Sequence, residues 1–297
     1  MKSARLSRVF APVLALTTAS AIAAPAQTLA QPAPLVVTYA PPKNSAVLHT
    51  TFVDFDSLPT TGPRPVFDNP TVAMDKFEVH VTTLAPGKES HPIHRHPWEE
   101  IILVREGQVD FNINGVIHHA GPGALAFFAS NDPHNARNVG TTPATYYVVN
   151  FVTDVASSAA AANAPSAATQ NLPGKLPSTV IDTNAIQQTP TATGARASVI
   201  PSTPTVTFRA LEAHISTLAP GQSTAKDILD SNDEFVLIRS GQVEVTVNGI
   251  ASRMNAGSFL YWEPNDKRTL RNVGSVPTSY LVLRATSDKS PKPLAAH

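Results

Sequence analysis

Hydrophobic and polar residues alternate strictly along two stretches of the chain. In VDFNI, Val109, Phe111 and Ile113 alternate with Asp110 and Asn112; in VEVTV, Val243, Val245 and Val247 alternate with Glu244 and Thr246. A period of two puts one set of side chains on each face of an extended strand. Asn114-Gly115 and Asn248-Gly249 follow, and both residues of such a pair tolerate the positive φ of a tight hairpin. Glu106-Gly107 and Ser240-Gly241 mark further turns. IILV, LAFF and YYVV are short apolar runs rich in branched and aromatic residues. Short strands with turns at roughly ten-residue spacing predict an all-β antiparallel sandwich or barrel.

The pattern occurs twice. EVHVTTLAPG at 78–87 returns as EAHISTLAPG at 212–221, REGQVDFNING at 105–115 as RSGQVEVTVNG at 239–249, and NDPHNARNVG at 131–140 as NDKRTLRNVG at 265–274. All three pairs keep one offset of 134 residues (212 − 78, 239 − 105, 265 − 131). About a third of the aligned positions between 77 and 151 are identical, which makes the chain two copies of one domain. The copies are expected at 45–152 and 177–286. Residues 153–176 between them, rich in Ala, Ser and Pro, read as a linker: a flexible tether, or a turn of helix at Ala159–Ala162.

Composition narrows the chemistry. The 297 residues carry no net charge and only 15% charged side chains, which gives no support for nucleic-acid or membrane-surface binding. Without cysteine there is no disulfide, thiolate ligand or thiol nucleophile, so any metal must sit on nitrogen and oxygen. Lys2, Arg5 and Arg8 precede an apolar stretch and Ala-x-Ala sites near Ala24 and Ala26, a pattern that predicts a signal peptide over 1–26 and a secreted or periplasmic protein, with no membrane attachment after cleavage.

Candidate ligands concentrate in HPIHRHPWEE at 91–100. On a strand His94 and His96 emerge on one face, and Glu100 stays in phase if the chain remains extended; His134 comes from a different strand pair. Taken alone, His-x-His also suits a solvated loop. Imidazole favours first-row transition metals, and a carboxylate offsets the cation's charge. Glu99 is out of phase with the histidines, and is either a turn or surface residue or a base behind the ligands. His91 is expected at the rim, His118 and His119 on the surface, and Phe128 and Tyr147 in the core or along the pocket. His80 returns as His214 and so reads as structural.

The order Gly87, His94-x-His96-x3-Glu100-x6-Gly107, Gly115 and His134-x3-Asn138 closely resembles the two-motif pattern of the cupin superfamily. The resemblance implies two tandem cupin-type β-barrels (double-stranded β-helix or jelly roll), with the metal at the centre of the first. It implies His94, His96, Glu100 and His134 as ligands of one divalent ion, Mn or Fe ahead of Zn, Ni or Cu. Two departures stand out: six residues, not five, separate Gly87 from His94, and Ala129 and Asn131 occupy the places of the family's Pro and Gly before the second-motif histidine.

The constant offset carries His94 to Ile228, His96 to Asp230, Glu100 to Glu234 and His134 to Arg268. The second site is therefore degenerate, and Arg268, a permanent cation, is expected to pair with Asp230 and Glu234. Asn272 and Gly274 are kept, as turn formers would be. The resemblance implies a metal-dependent enzyme acting on a small carboxylate or enol-type molecule, in the manner of an oxygenase or a decarboxylase. The alternatives are a non-enzymatic metal-containing protein that binds a sugar or organic acid, and a barrel kept for assembly. Either a monomer or a homo-oligomer is compatible with a duplicated barrel.

Overall fold

Asn114 and Gly115 take φ values of 52° and 83°, and Asn248 and Gly249 of 48° and 87°. Each pair closes an antiparallel hairpin, Val109–Ile113 with Val116–Ala120 and Gln242–Val247 with Ile250–Asn255. The computed structural model describes residues 33–60, 64–170, 172–225 and 228–292. The expected signal peptide over 1–26 lies outside the described residues.

Each repeat folds as a barrel of two facing sheets, as expected for cupin-type β-barrels. In the first, strands Thr179–Asp182, Ala124–Phe128, Glu99–Glu106, Ala144–Val152, Lys76–Leu84 and Arg64–Asn69 lie side by side in that order. They face a five-stranded sheet of Leu35–Val36, His94–Arg95, His134–Asn138, Val109–Ile113 and Val116–Ala120. The second barrel repeats the plan around Ala210–Leu218, Thr278–Thr286 and Asp233–Ser240.

The apolar runs are explained by burial on both faces. In Glu99–Glu106, Ile102 and Val104 join Phe111, Phe128 and Val148 inside the first barrel. Ile101 and Leu103 point the other way, into a core shared between the barrels with Phe77, Val149, Phe235, Phe259, Tyr261 and Leu283. Burying each such side chain contributes roughly 1.5–3 kcal/mol, so this shared core fastens the barrels face to face.

Two segments cross between the copies. Thr51–Val53 pairs with Phe259, Leu260 and Tyr261 of the second barrel, whereas Thr179–Asp182 pairs with Ala124–Phe127 of the first. The expected domains 45–152 and 177–286 are thus not self-contained: each lends a strand to the other's sheet. Of the two readings of the intervening 153–176, the structure takes the helical one, at Ala159–Ala162 as expected. The segment forms three single-turn helices, Asp154–Ser157, Ala159–Ala162 and Ala167–Gln170. Thr153 caps the first, accepting from the Ala156 amide, and Ala156 is buried. Arg95 Nη1 donates to the Ala164 carbonyl and Asn131 Nδ2 to that of Ala161, each at 2.9 Å. A sequence of small residues suits such close packing, which low-complexity composition alone does not reveal.

Candidate metal centre

His94 and His134 face each other across an antiparallel pairing of two short strands. His96 lies two residues beyond His94, and Glu100 emerges from the adjoining strand Glu99–Glu106. The three imidazoles offer ligand atoms all within 4.8 Å of one another, and all three rings are buried. Glu100 stands beside them, with Oε2 3.2 Å from His96 Nε2 and 3.9 Å from His134 Nε2.

The tautomers are fixed from behind. His94 Nδ1 faces the His134 carbonyl at 3.1 Å, His96 Nδ1 the Trp98 carbonyl at 2.9 Å, and His134 Nδ1 the Asp132 carbonyl at 2.7 Å. A carbonyl only accepts, so each Nδ1 carries a proton, and in the neutral ring Nε2 is the atom left to ligate. Aromatic planes hold two of the rings. Trp98 stacks on His96 at 4.2 Å with 2° between planes, and Phe128 on His134 at 4.3 Å with 13°.

Burial disfavours the charged form of two of the three rings. Burial, and then the neighbouring His91 and His96, push His94 down to about 4. Burial and His96 push His134 down to about 3. For Glu100, burial favours the neutral acid, but the His96 hydrogen bond and the charges of His134 and His96 outweigh it and hold the carboxyl at about 2.

This donor set fits a divalent cation. His96 Nε2 and the Glu100 carboxylate converge at 3.2 Å, close enough to share a proton or, once that proton is gone, a divalent cation. His134 Nε2 is buried without a hydrogen-bond partner, a state that costs free energy unless something is bound. The cluster opens onto a cavity of about 420 Å³ that Thr82, Tyr146, Asn150 and Trp98 also line. A larger cavity of about 510 Å³, between the barrels beside Arg105 and Arg239, has neither histidine nor carboxylate in its lining.

Several expectations are corrected. Glu99 does not stand behind the metal cluster. Strand alternation turns it away from Glu100, and its fully buried carboxylate accepts from the Thr205 and Thr207 hydroxyls at 2.6 and 2.9 Å and from the Val206 amide at 2.9 Å. Burial raises its pKa against the opposing hydrogen bonds of Thr205, Thr207 and Val206. It anchors a loop of the second repeat. Tyr147 takes the core place of its two expected ones, with its hydroxyl donating to the Gly257 carbonyl at 2.8 Å, and Tyr146, one residue earlier, lines the pocket. His80, read as structural, is a pocket residue, while His91 sits at the pocket edge as expected.

The turn before His134 survives its unusual sequence. Asn131 has φ 60°, the left-handed conformation that the family's glycine supplies, and Asn265 repeats it at 67°. Asparagine tolerates this region better than other side chains.

In the second barrel Arg268 Nη2 lies 2.6 Å from Glu234 Oε1 and 3.7 Å from Asp230 Oδ2, the expected pairing. Its guanidinium covers Trp262 at 4.8 Å, as His134 covers Phe128. The sequence reading missed a second cation. Arg284, at the place of Asn150, also binds Glu234 and lies 3.4 Å from Asp230. The 134-residue offset was the signal that could have found it.

The cupin domain family matches the chain twice, over residues 80–150 and 214–284. No curated protein sequence matches it. Among solved structures, a mutant oxalate decarboxylase of Bacillus subtilis is similar with a TM-score of 0.59 and 17% identity, covering 82% of this chain and 79% of its own. The oxalate decarboxylase of Lactobacillus farciminis in complex with formate gives 0.59 and 16%, covering 84% and 90%. The putative glyoxylate induced protein of Pseudomonas aeruginosa gives 0.59 and 13%, covering 89% and 98%. At such identities the likeness is one of fold. The doubled family match and the two fused barrels make the chain a two-domain member of the cupin superfamily.

Proposed function

We propose that the first barrel holds one divalent transition-metal ion, manganese or iron, on His94, His96, His134 and Glu100, and that the protein is a metal-dependent enzyme. The observation that carries this reading is the set of three buried imidazoles whose Nδ1 protons are all committed to backbone carbonyls. Such a set is prepared to give lone pairs and not to take protons. The substrate class is a small carboxylate or enol-type molecule, sized to a cavity of about 420 Å³, and the reaction is of oxygenase or decarboxylase type. The oxalate decarboxylases among the similar folds support that class.

A bound ion of this kind supplies Lewis-acid stabilisation of negative charge and, as iron or manganese, access to dioxygen chemistry. The protein's own residues do the rest. Burial keeps His94 and His134 neutral near pH 7, Trp98 and Phe128 fix the ring planes, and Tyr146 and Thr82 line the pocket, the Tyr146 hydroxyl bonded to Ser90 and Thr82. The second barrel, with Arg268 in the place of His134, serves as scaffold.

Metal analysis of protein purified from its own host tests the reading. About one manganese or iron per chain, absent from His134→Ala, supports it; metal-free protein that gains none on incubation with either ion overturns it. Aerobic and anaerobic turnover on small carboxylates and flavonols then separates oxygenation from decarboxylation. Bound metal with no turnover on that panel favours the non-enzymatic binding protein.

A further inference from the structure

Strand Lys76–Leu84 sends Phe77, Val79 and Val81 into the core between the barrels, so Glu78, His80 and Thr82 share the opposite face. Its register sets Glu78 beside Asn150, and Asn150 beside Glu100, in one row across the sheet. His80, Val148 and Ile102 form the next row. Proximity to the candidate metal site is therefore built into the strand pairing.

A hydrogen-bonded chain runs through these rows. Trp98 Nε1 donates to Asn150 Oδ1 at 3.0 Å, which orients the amide; Asn150 Nδ2 donates to Glu78 Oε2 at 2.6 Å. Glu78 Oε1 lies 2.7 Å from His80 Nδ1. A carboxylate only accepts, so His80 carries its proton on Nδ1 and presents the Nε2 lone pair. Among the described residues no group hydrogen bonds to that Nε2, and the side chain, 34% exposed, lines the pocket.

We propose that His80 is the proton-transfer group of this pocket, with Glu78, Asn150 and Trp98 as its positioning residues; the proposal rests on the small carboxylate or enol-type reading above. The neutral ring takes one proton from an acidic O–H or C–H of the bound molecule at Nε2. The bonding pair stays on that molecule as an anion, and the ring becomes an imidazolium whose Nδ1–H remains on Glu78. The reverse transfer returns the proton and closes the balance.

The second repeat shows what the arrangement needs. His214 keeps a carboxylate partner, Glu212, at 3.2 Å, but Arg196 and Arg284 also bind that carboxylate, at 3.3 and 3.7 Å. Burial, followed by Arg196, Arg284 and Arg268, pushes His214 down to about 3. It is only 5% exposed. Around His80 the charged neighbours are Glu78 on its own strand, Glu100 on the next but one, and Lys43; the His94, His96 and His134 rings and the Tyr146 hydroxyl share the pocket. Burial disfavours the imidazolium there, but Glu78 outweighs it and raises His80 above its ordinary value. The same pair of residues is therefore set to exchange a proton in one barrel and locked neutral in the other.

Nitrogen-15 NMR of histidine-labelled, zinc-loaded full-length protein tests this, with His80 assigned through His80→Gln and oxalate as probe. The expected result is an Nδ1-protonated neutral ring that titrates above about pH 6.5 and falls by about one unit or more in Glu78→Gln. Oxalate shifts the Nε2 resonance, and His80→Gln retains zinc. A proton on Nε2, a ring that stays neutral down to about pH 5, no response to oxalate in zinc-bound protein, or loss of zinc in His80→Gln overturns the proposal. If wild-type protein holds no metal, the metal reading fails separately, and the tautomer and midpoint measured on the metal-free protein still decide between a Glu78-held base and a structural ring.

Discussion

His96 Nε2 and Glu100 Oε2 stand 3.2 Å apart, while His96 Nδ1 is already given to the Trp98 carbonyl. In the neutral ring both atoms are acceptors, and a metal ion between them would hold the pair together. Glu100→Gln replaces one acceptor by a neutral amide. Metal affinity is expected to fall on the order of 100-fold, while the metal-free protein, with no ion to lose, changes far less. Thermal melts with and without added manganese read both effects; a variant that loses or gains stability equally in the two states contradicts the metal reading.

Acid lowers the stability of the metal-free protein. Burial first, and neighbouring histidines second, hold His94 at about 4 and His134 at about 3 in the native state. In the unfolded chain both return to about 6.5. Between those limits the unfolded state binds more protons, so stability present above about pH 6.5 drains away as the pH falls toward 4. Glu100, held at about 2 against burial by His96, extends the loss to lower pH. Urea midpoints from pH 8 to 4.5 are expected to decline, and His134→Ala to flatten the slope; a midpoint independent of pH in metal-free wild type counts against neutral rings.

Arg268 is the keystone of the metal-free barrel. Arg268→Met leaves Glu234 and Asp230 with Arg284 alone and costs about 3 kcal/mol, readable in chemical denaturation. Conversely, the combination Ile228→His, Asp230→His, Arg268→His and Arg284→Asn rebuilds the donor set over Trp262. Its expected metal content is two ions per chain, against the one proposed for the parent. A folded quadruple variant that still binds a single ion shows that more than the ligands has been lost.

Glu99 contributes to stability without serving the metal. Glu99→Gln removes a charge-assisted acceptor from Thr205, Val206 and Thr207 and is expected to cost about 2 kcal/mol. Metal stoichiometry stays unchanged. Metal loss in a well-folded Glu99→Gln would return this residue to the site.

The fold was legible because it rests on short-range rules. Alternation in VDFNI, the Asn-Gly hairpins and the constant offset identify strands, turns and duplication, whereas the ligand set rested on the family resemblance, because His94 and Glu100 lie on separate strands that no single phase connects. What escaped was set by pairing between strands distant in the chain. Tyr146 displaces Tyr147 from the pocket because of the register against Thr82 and Val104, which no single strand reveals. His80 looked structural because it repeats as His214; the difference lies in position 150 against 284, Asn in one copy and Arg in the other. The 153–176 segment read equally as a tether or a turn of helix because small residues pack closely as readily as they flex.

The exchange of Thr51–Val53 and Thr179–Asp182 bears on why a barrel without ligands persists. Cutting the gene between the repeats would yield halves that each carry a surplus strand and lack a needed one. The first half would bare the backbone edge of Ala124–Phe128, together with the outward faces of Ile101, Leu103 and Val149, a surface prone to aggregate. The second barrel is in this sense a permanent, covalently attached chaperone for the first, and its support of the shared core does not depend on its holding a ligand set of its own.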